Sequence, residues 1–509
     1  MSAVESRDPE VRTAAGVVRG RAEGGLAVFR GIPYAAPPVG EARFQAPGPV
    51  RGWDGVREAH AFGPPAPQDA QMAGRGGGDF LMGAGDDWLT VNVWTPDPDP
   101  AARRPVMVWI HGGAYKLGFS GSPGYDGRHI AREGDVVFVS LNYRLGIEGF
   151  ARLDGAPANR GLLDQVAALE WVRENITAFG GDPGQVTVLG DSAGAGSIAA
   201  LMAMPSAAGL FRRAVGQSVP GTFLSDALAR DVAAAIAAEA GLCPTAGDLA
   251  GVDPRELPAA GQALGSKMRQ YEERWGSFAL TLTPFSPVVD GEVLPAAPWQ
   301  ALAAGAGRDV ELVIGHNRDE YRTFLLLSGE LGKITEEQAA EALRHFGPGE
   351  DGERAYRAAF PDASAEELYE RVKSDWLFSM PVLHLAEAQA AGGGRAYLYE
   401  LAWQSPGMGG ALGACHGLDG PLLFGTYDAH LGPAVIGPDH IAEARELTSQ
   451  MRTAWTSFAT SGDPGWPAYD SRQRVTRVFD APPSVTAYPE EISRRLWQEH
   501  VFEALPLLS

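Results

Sequence analysis

Near-continuous apolar strands, joined by a helical crossover, constrain the fold of this chain more than any other feature. The runs VMVWI and VVFVSL are of strand length and apolar, which is typical of strands buried on both faces of a sheet. Between the second run and VTVLG, apolar residues recur at helical spacing from Leu162 to Ile176. Parallel strands require such a crossover. The pattern predicts an α/β protein with a mostly parallel central sheet and helices on both faces.

The same patterns place the other elements along the chain. Strand-length runs are predicted at 89–96, 105–113, 135–143, 310–317 and 395–403. Helical insertions are predicted at roughly 202–287 and 325–391, and a long helix at 443–461. We expect one domain over residues 1–509, since the helical insertions interrupt one sheet, and the sequence contains no internal repeat. The Gly-rich stretch 68–85 is predicted to be a surface loop.

The charge balance disfavours several classes of partner. The 509 residues carry a formal net charge of −21 at pH 7, and an acidic surface repels nucleic acid and anionic membranes. We therefore expect no nucleic-acid partner and no membrane association. We also expect a small-molecule substrate and a monomer or weak homo-oligomer. The first residues, MSAVESRDPEVR, lack the apolar segment of a signal peptide, which favours a cytoplasmic location.

The sequence contains two cysteines, Cys243 and Cys415. Neither has a neighbour at metal-ligand spacing, and reduced thiols in a cytosolic protein are the simpler interpretation. We expect no metal and no cofactor.

The stretch VTVLGDSAGAGSIAAL combines a strand, a sharp turn and a helix, with Ser192 at the turn. Glycines on both sides let a strand turn sharply into a helix and expose the serine at the strand's carboxyl end. The start of the helix then offers backbone N–H groups to a developing oxyanion. A G-x-S-x-G motif also arises by chance in a chain with 65 glycines. The strand–turn–helix context favours a nucleophile.

A second small-residue loop follows the strand VMVWI, at His111-Gly112-Gly113-Ala114. Backbone N–H groups in such a loop can approach a substrate oxygen closely, as in the oxyanion loops of serine hydrolases. An ordinary Gly-Gly strand end is the alternative. The combination with GDSAG in one α/β pattern favours the functional interpretation.

A serine nucleophile needs an acid and a histidine later in the chain. His416 lies in a loop after a predicted strand, whereas His345 and His384 fall in helical segments. For the acid, GHNRDEYRTF offers Asp319 or Glu320 after the strand VELVI. The residue pattern alone does not choose between these two adjacent carboxylates.

The whole chain resembles the type-B carboxylesterases, the cholinesterase-like branch of the α/β-hydrolases. The resemblance is carried by FRGIPYAAPPVGEARFQAP, LTVNVWTP, VMVWIHGGAYKLG, NYRLGIEGF, FGGDPGQVTVLGDSAGAGS, GHNRDEYRTF, CHGLDGPLLFG and WTSFATSGDPGWPAY. It implies the α/β-hydrolase fold, with helical insertions over an active-site gorge. It further implies that Ser192 is the nucleophile, Glu320 the acid and His416 the base, with oxyanion N–H donors at Gly113, Ala114 and Ala193.

The sequence departs from the family pattern near the proposed triad. The family usually has glutamate where this chain has Asp191 and Asp419, and both side chains are shortened together. We hypothesise that these two aspartates and Ser218 form a supporting network with added water; independent, tolerated changes are the alternative. The family also usually has glycine where Tyr321 follows the acid.

The substrate side is less constrained by the sequence. SDWLFSMP resembles the family's acyl-side segment, so Trp376, Leu377, Phe378 and Met380 are candidate pocket residues, with plain helix packing as the alternative. The stretch 68–85 lacks the choline-binding tryptophan of cholinesterases, which disfavours acetylcholine-like substrates. The two-small-residue HGGA loop resembles that of esterases that accept bulky alcohol groups.

The predicted function is hydrolysis of carboxylic esters of small, fairly apolar molecules through an acyl-enzyme. A carbamate or amide hydrolase on the same triad is the alternative within enzymes, because leaving group and pocket fit are not visible in motifs. A non-catalytic, cholinesterase-like adhesion module is the remote alternative. The presence of all three triad positions disfavours it.

Overall fold

A mixed sheet of eleven strands forms the centre of the protein. The computed structural model describes residues 8–69 and 85–509. With the strands numbered in chain order, the sheet order is β16-β15-β14-β13-β10-β9-β7-β8-β6-β4-β3, and the seven strands from β15 to β8 run parallel to one another. Pairing is antiparallel at both edges. The predicted mostly parallel α/β architecture is confirmed.

The strands in chain order are β1 Glu10–Arg12, β2 Val17–Arg19, β3 Arg21–Glu23, β4 Leu26–Pro33, β5 Val56–Glu58, β6 Thr90–Thr95, β7 Arg104–Ile110, β8 Val137–Leu141, β9 Gly181–Asp191, β10 Arg213–Gln217, β11 Leu224–Ser225, β12 Val288–Val289, β13 Glu311–Asn317, β14 Arg395–Leu401, β15 Val475–Phe479 and β16 Ser484–Ala487. Strands β1, β2 and β5 form a small separate sheet, and β11 pairs with β12.

The α-helices in the described residues are α1 Arg128–Gly134, α2 Gly146–Phe150, α3 Arg160–Asn175, α4 Ala193–Ala203, α5 Asp226–Glu239, α6 Ala246–Ala250, α7 Leu257–Gly265, α8 Glu272–Trp275, α9 Pro298–Ala303, α10 Arg322–Ser328, α11 Glu336–Phe346, α12 Gly352–Ala359, α13 Ala365–Ser374, α14 Met380–Ala391, α15 Asp419–Phe424, α16 Gly432–Val435, α17 Ile441–Ser461 and α18 Glu491–Trp497. A π-helical turn, Asp375–Ser379, joins α13 to α14.

Helices cover both faces of the sheet and define two large apolar clusters. One cluster contains the buried faces of α3, α4 and α14, and the other those of α1, α15 and α17. Strands β7 and β8 contribute to both clusters, because alternate side chains point to opposite faces. Among the described residues, no helix combines the length and apolar character needed to cross a membrane.

The predicted helical insertion at 202–287 is wrong at its start. Arg213–Gln217 is a central strand, β10, paired in parallel with both β9 and β13. The five-residue run RAVGQ is too short to show a period, and the surrounding alanine-rich sequence favoured a helix. The helical insertion therefore follows this strand, beginning with α5. Residues 70–84 of the predicted surface loop lie outside the described residues.

A fully buried ion pair joins the segment after β8 to helix α3. Arg144 donates through Nε and Nη2 to the Asp164 carboxylate at 2.8 and 2.7 Å, and its backbone N–H donates at 2.9 Å. Both side chains are 0% exposed. Arg144 also donates to the carbonyl of Gln45 at 2.7 Å. These bonds fix α3 against the loop that leaves β8.

Replacing Asp164 with alanine should destabilise the protein by about 3–5 kcal/mol, because the Arg144 guanidinium would remain buried without its counter-charge. Equilibrium urea unfolding measures this free energy. Glu170→Ala is the matched control on the same helix, since its ion pair with Arg173 is exposed and contributes less than about 1 kcal/mol. Equal losses for the two variants would contradict the assigned role.

Candidate active site

The candidate residues converge at one edge of the sheet because they follow parallel strands. The HGGA loop follows β7, Ser192 follows β9, and Glu320 comes three residues after β13. His416 lies between β14 and α15. Carboxyl ends of parallel strands meet at the same edge, where α/β proteins bind their ligands.

Ser192 occupies a strained corner between β9 and α4. Its φ of 52° and ψ of −122° are rare for a residue with a side chain. Its N–H donates to the Gln217 carbonyl at 2.8 Å. A β-carbon at Gly194 would lie 2.0 Å from the carbonyl oxygen of Ile110, and one at Gly190 would lie 2.5 Å from the same atom. The motif's glycines are therefore needed for close approach of this corner to β7.

The HGGA loop lies directly against this corner. A β-carbon at Gly112 would be 3.2 Å from Cβ of Ser192 and 2.8 Å from Oδ1 of Asp191. The Gly112 N–H donates to Asp191 Oδ1 at 3.0 Å. Gly113 and Ala114 both have positive φ, 113° and 54°. The backbone of the predicted oxyanion loop thus runs past Ser192 in an unusual conformation.

Glu320 is the carboxylate that contacts His416. Its Oε2 lies 2.6 Å from His416 Nδ1. Its Oε1 accepts hydrogen bonds from the Ser218 hydroxyl at 2.5 Å and from the Asn317 N–H at 2.8 Å. Asp319 instead accepts from the Ala414 N–H at 2.8 Å. Of the two adjacent carboxylates, Glu320 is therefore the one in contact with His416.

The contact with Glu320 determines which nitrogen of the His416 ring carries the proton. A carboxylate accepts hydrogen bonds, so Nδ1 carries the proton and Nε2 is left as the ring nitrogen with a free lone pair. Burial lowers the pKa of His416, but the Glu320 carboxylate and, further away, Asp191 and Asp419 raise it above its ordinary value. Phe378 stacks on the ring at 4.5 Å, and Phe324 lies at 5.0 Å.

The other two members of the hypothesised network lie close to this centre with their own partners. Asp419 accepts a hydrogen bond from Gln217 Nε2, and Asn317 Nδ2 approaches it at 3.5 Å. Burial and the neighbouring Asp419 carboxylate raise the pKa of Asp191 to about 7.

A cavity of about 20 Å³ adjoins Asp191, and the glycines on either side of Leu418 and Asp419, Gly417 and Gly420, also line it. This volume is enough for a single water molecule.

The four candidate pocket residues have different surroundings. Phe378 lies against His416, as described above. Trp376 packs on Phe346 at 4.8 Å. Leu377 is buried beside Phe378, and its carbonyl accepts from the Gly221 N–H. Met380 is fully buried in the larger apolar cluster. Phe378 is therefore the member of this set in contact with the proposed base.

Several residues of the site were not predicted from the sequence. Asn317 donates to Glu320, and its side chain also donates to the Cys415 carbonyl at 2.8 Å. Gln217 binds Asp419, and Phe324 flanks His416. Asn317 and Gln217 each end a central strand, β13 and β10. A polar residue at the carboxyl end of a buried strand was the sequence signal that could have identified both residues.

One group of possible metal ligands occurs within the described residues, and it lies apart from the residues above. The ligand atoms of Glu272, Glu341 and His345 lie within 4.8 Å of one another. Arg269 already forms ion pairs with both glutamates. Since a guanidinium neutralises these carboxylates, the group carries no argument for a metal.

Two features define the fold class of the protein: the order of strands in the sheet, and the candidate serine, acid and histidine that each follow a strand. This is the α/β-hydrolase fold. The sequence profile of the carboxylesterase family matches residues 7–484. The chain belongs to the carboxylesterase family and is a carboxylic ester hydrolase.

Similar proteins cover nearly the whole chain. A para-nitrobenzyl esterase from Bacillus subtilis is 36% identical over 497 residues, covering 95% of this chain and 97% of its own. A phenmedipham hydrolase from Pseudarthrobacter oxydans is 37% identical over 476 residues, covering 91% and 93%. The crystal structure of a Geobacillus stearothermophilus carboxylesterase superposes with a TM-score of 0.84 at 36% identity, covering 96% of this chain and all of the other.

The raised pKa of Asp191 predicts a pH-dependent stability change in Asp191→Asn. Because the folded-state pKa of about 7 lies above the ordinary 3.8, ionising this carboxyl opposes folding, and the cost grows as pH rises from about 4 to 7. Relative to the parent, the stability of the amide variant should therefore rise by roughly 2–3 kcal/mol between pH 5 and pH 8. Urea unfolding at both pH values measures the difference. The exposed Asp362→Asn should show no such trend, and a trend of opposite sign at position 191 would contradict the prediction.

Proposed function

We propose that the protein cleaves carboxylic esters of small, fairly apolar molecules through an acyl-enzyme on Ser192, with His416 as base and Glu320 as acid. The observation that carries the proposal is the 2.6 Å contact between His416 Nδ1 and the buried Glu320 carboxylate, at the strand ends where the Ser192 corner also lies. Membership of the carboxylesterase family supports the reaction class.

In the proposed reaction, Ser192 Oγ attacks the ester carbonyl carbon while its proton passes to His416 Nε2. The carbonyl electron pair moves to oxygen, which accepts hydrogen bonds from backbone N–H groups of Gly113, Ala114 and Ala193. The carbon–alkoxide bond then breaks, and the alkoxide takes the proton from His416. Water repeats these steps on the acyl-enzyme and releases the carboxylic acid.

Glu320 supports each proton transfer without taking the proton. Its carboxylate holds the Nδ1–H of His416 and stabilises the imidazolium that forms during attack. The hydrogen bonds from Ser218 and Asn317 keep the second carboxylate oxygen occupied. The carboxylate is thus held by three donors and presents a fixed face to the imidazole.

Around this triad, Ser218, Asp419 and Asp191 form a supporting network in the proposal. Ser218 acts on Glu320 directly, and Asn317 links Glu320 to Asp419. Asp191 holds the Gly112 N–H, which precedes the oxyanion donors. A water molecule in the adjoining cavity would occupy the space that the shorter aspartate leaves.

The preference for apolar substrates rests on the surroundings of the base. Phe378 and Phe324 both lie against the imidazole, and Leu377 packs in the same cluster. Aromatic and aliphatic walls bind apolar acyl or alcohol groups by removing them from water. Trp376 and Met380 remain proposed pocket residues at the edge of this region.

Replacing Ser192 with alanine should reduce p-nitrophenol release from p-nitrophenyl acetate by roughly 10⁴-fold or more, because the nucleophile is lost. Ser197→Ala is the matched control, since Ser197 is a buried serine on α4, the helix that follows Ser192, and this variant should keep the rate within a few-fold. The measurement is kcat at saturating ester, with active-site titration of the acyl-enzyme burst. A Ser192→Ala protein with the parental rate would refute the mechanism.

A substrate panel should rank esters above carbamates and amides of the same alcohol or amine. We expect kcat/KM to rise by about 10-fold or more between the acetyl and butanoyl esters of p-nitrophenol, because each added methylene is worth roughly 0.8 kcal/mol when buried. Steady-state kinetics with acyl and alcohol groups varied separately provides the test. A higher kcat/KM for the matched carbamate would favour the carbamate-hydrolase alternative instead.

A further inference from the structure

Helix α13 holds the residue that follows the proposed catalytic acid. The Tyr321 backbone N–H donates to Ser374 Oγ at 2.9 Å and to Glu370 Oε1 at 3.3 Å. The Ser374 hydroxyl in turn donates to Glu370 at 2.5 Å. All three residues are buried. The peptide that joins Glu320 to Tyr321 is therefore anchored from the helix side.

A buried lysine on the same helix holds the other end of Tyr321. Lys373 is 7% exposed, and its Nζ donates to the hydroxyls of Tyr321 and Tyr369, each at 3.0 Å. The ammonium also lies 4.6–4.9 Å from the ring centroids of Tyr321, Tyr369 and Phe346. Across residues 8–69 and 85–509, no carboxylate oxygen comes within 4 Å of this nitrogen.

Because the Lys373 ammonium has no carboxylate partner among the described residues, the two tyrosine hydroxyls are its main partners. Burial lowers the pKa of Lys373 to about 8. Hydrogen bonds and aromatic faces then compensate for part of the lost hydration. A side chain held in this way has little freedom, and neither has the tyrosine hydroxyl that it contacts.

The same helix also leads to the base. After Ser374 the chain continues into the π-helical turn Asp375–Ser379, whose Phe378 stacks on His416. Tyr321 contacts Phe324 at 5.2 Å, and the Phe324 ring lies 5.0 Å from His416 and 6.0 Å from Phe378. One continuous segment thus contacts the neighbour of Glu320 and the ring of His416.

We propose that Lys373 and Tyr321 form a positioning pair that fixes the Glu320 carboxylate against His416; this inference rests on the proposed triad. Tyr321 is anchored at its N–H and at its hydroxyl, so the adjacent Glu320 backbone has little room to rotate. A glycine, which the resembling family usually has here, would offer the N–H alone. Small displacements of catalytic groups are costly, with about 1 Å worth up to about 100-fold in rate.

Two tyrosine-to-phenylalanine variants separate positioning from general stability. Tyr321→Phe and Tyr369→Phe each remove one hydroxyl at 3.0 Å from the same ammonium and keep the ring. Only Tyr321 adjoins Glu320. We expect Tyr321→Phe to lower kcat on p-nitrophenyl acetate about 10-fold with KM within twofold, and Tyr369→Phe to keep kcat within twofold. Similar losses of kcat in both variants would overturn the proposal.

A double-mutant cycle tests whether the pair acts as a unit. Lys373→Met should reduce kcat to about the same extent as Tyr321→Phe, and the double variant should lose no more than the larger single loss. If the loss of kcat in the double variant equals the product of the two single losses, Lys373 and Tyr321 act independently and the proposed coupling is wrong. Thermal unfolding confirms that each variant folds; if Lys373→Met does not, the two tyrosine variants still decide.

The pH dependence of kcat/KM distinguishes a positioning role of Lys373 and Tyr321 from a purely structural one, because loss of stability alone would not shift it. His416 acts as a base only when neutral, and the Glu320 carboxylate raises its pKa. A less well placed carboxylate should therefore shift the acid limb of kcat/KM to lower pH in Tyr321→Phe, by at least about 0.3 pH unit. An unmoved limb would count against the pair.

Glu320→Gln separates failure of this inference from failure of the triad. A fully active Glu320→Gln enzyme would refute the triad itself, whatever the tyrosine variants show. A strongly impaired Glu320→Gln enzyme, together with identical kinetics of Tyr321→Phe and the parent, would refute the positioning pair alone.

Discussion

The close approach of helix α4 to strand β7 is the constraint on which the rest of the site depends. With no side chain at Gly194 and Gly190, the corner after β9 reaches the Ile110 carbonyl to within a distance that any β-carbon would prevent. That approach places the HGGA loop, which continues from Ile110, directly beside Ser192. At this point the Ser192 backbone is strained, and the adjacent loop has positive φ at Gly113 and Ala114.

On the other side of the site, the geometry depends on one buried carboxylate. Glu320 has contacts to a histidine, a serine and a backbone N–H that come from three separate parts of the chain. A carboxylate without these donors would be costly to bury. The same bonds that make its burial tolerable also fix its direction, so stability and orientation have a common cause here.

The sequence predicted the framework better than the details of the site. The central strands and the crossover helix were placed within a few residues, since long apolar runs and helical periodicity are local signals: α3 is Arg160–Asn175 against a predicted 162–176. Strand β10 was missed because five residues of mixed character carry no such signal.

Contacts between distant segments could not be read from local patterns at all. The contacts of Gln217 with Asp419 and of Lys373 with Tyr321 join residues 202 and 52 positions apart. The residue pattern likewise left Asp319 and Glu320 open; the family resemblance implied Glu320, and Glu320 is the side chain that contacts His416.

The carboxylates of the site favour the positive charge that forms on the His416 imidazole in the proposed transition state and oppose the negative charge on the oxyanion. Glu320, Asp191 and Asp419 all raise the pKa of His416, so a positive charge on the imidazole is well stabilised. Negative charge on a nearby oxyanion would be repelled by the same carboxylates, and the backbone N–H donors must outweigh that repulsion.

A protonated Asp191 reduces this conflict. Its raised pKa, about 7, leaves a substantial fraction of the carboxyl neutral near neutral pH. In that form it still accepts from the Gly112 N–H while adding no negative charge beside Ser192. The neutral form of Asp191 therefore removes one of the carboxylate charges that would repel the oxyanion. Glu320 and Asp419 still favour the positive charge on the His416 imidazole.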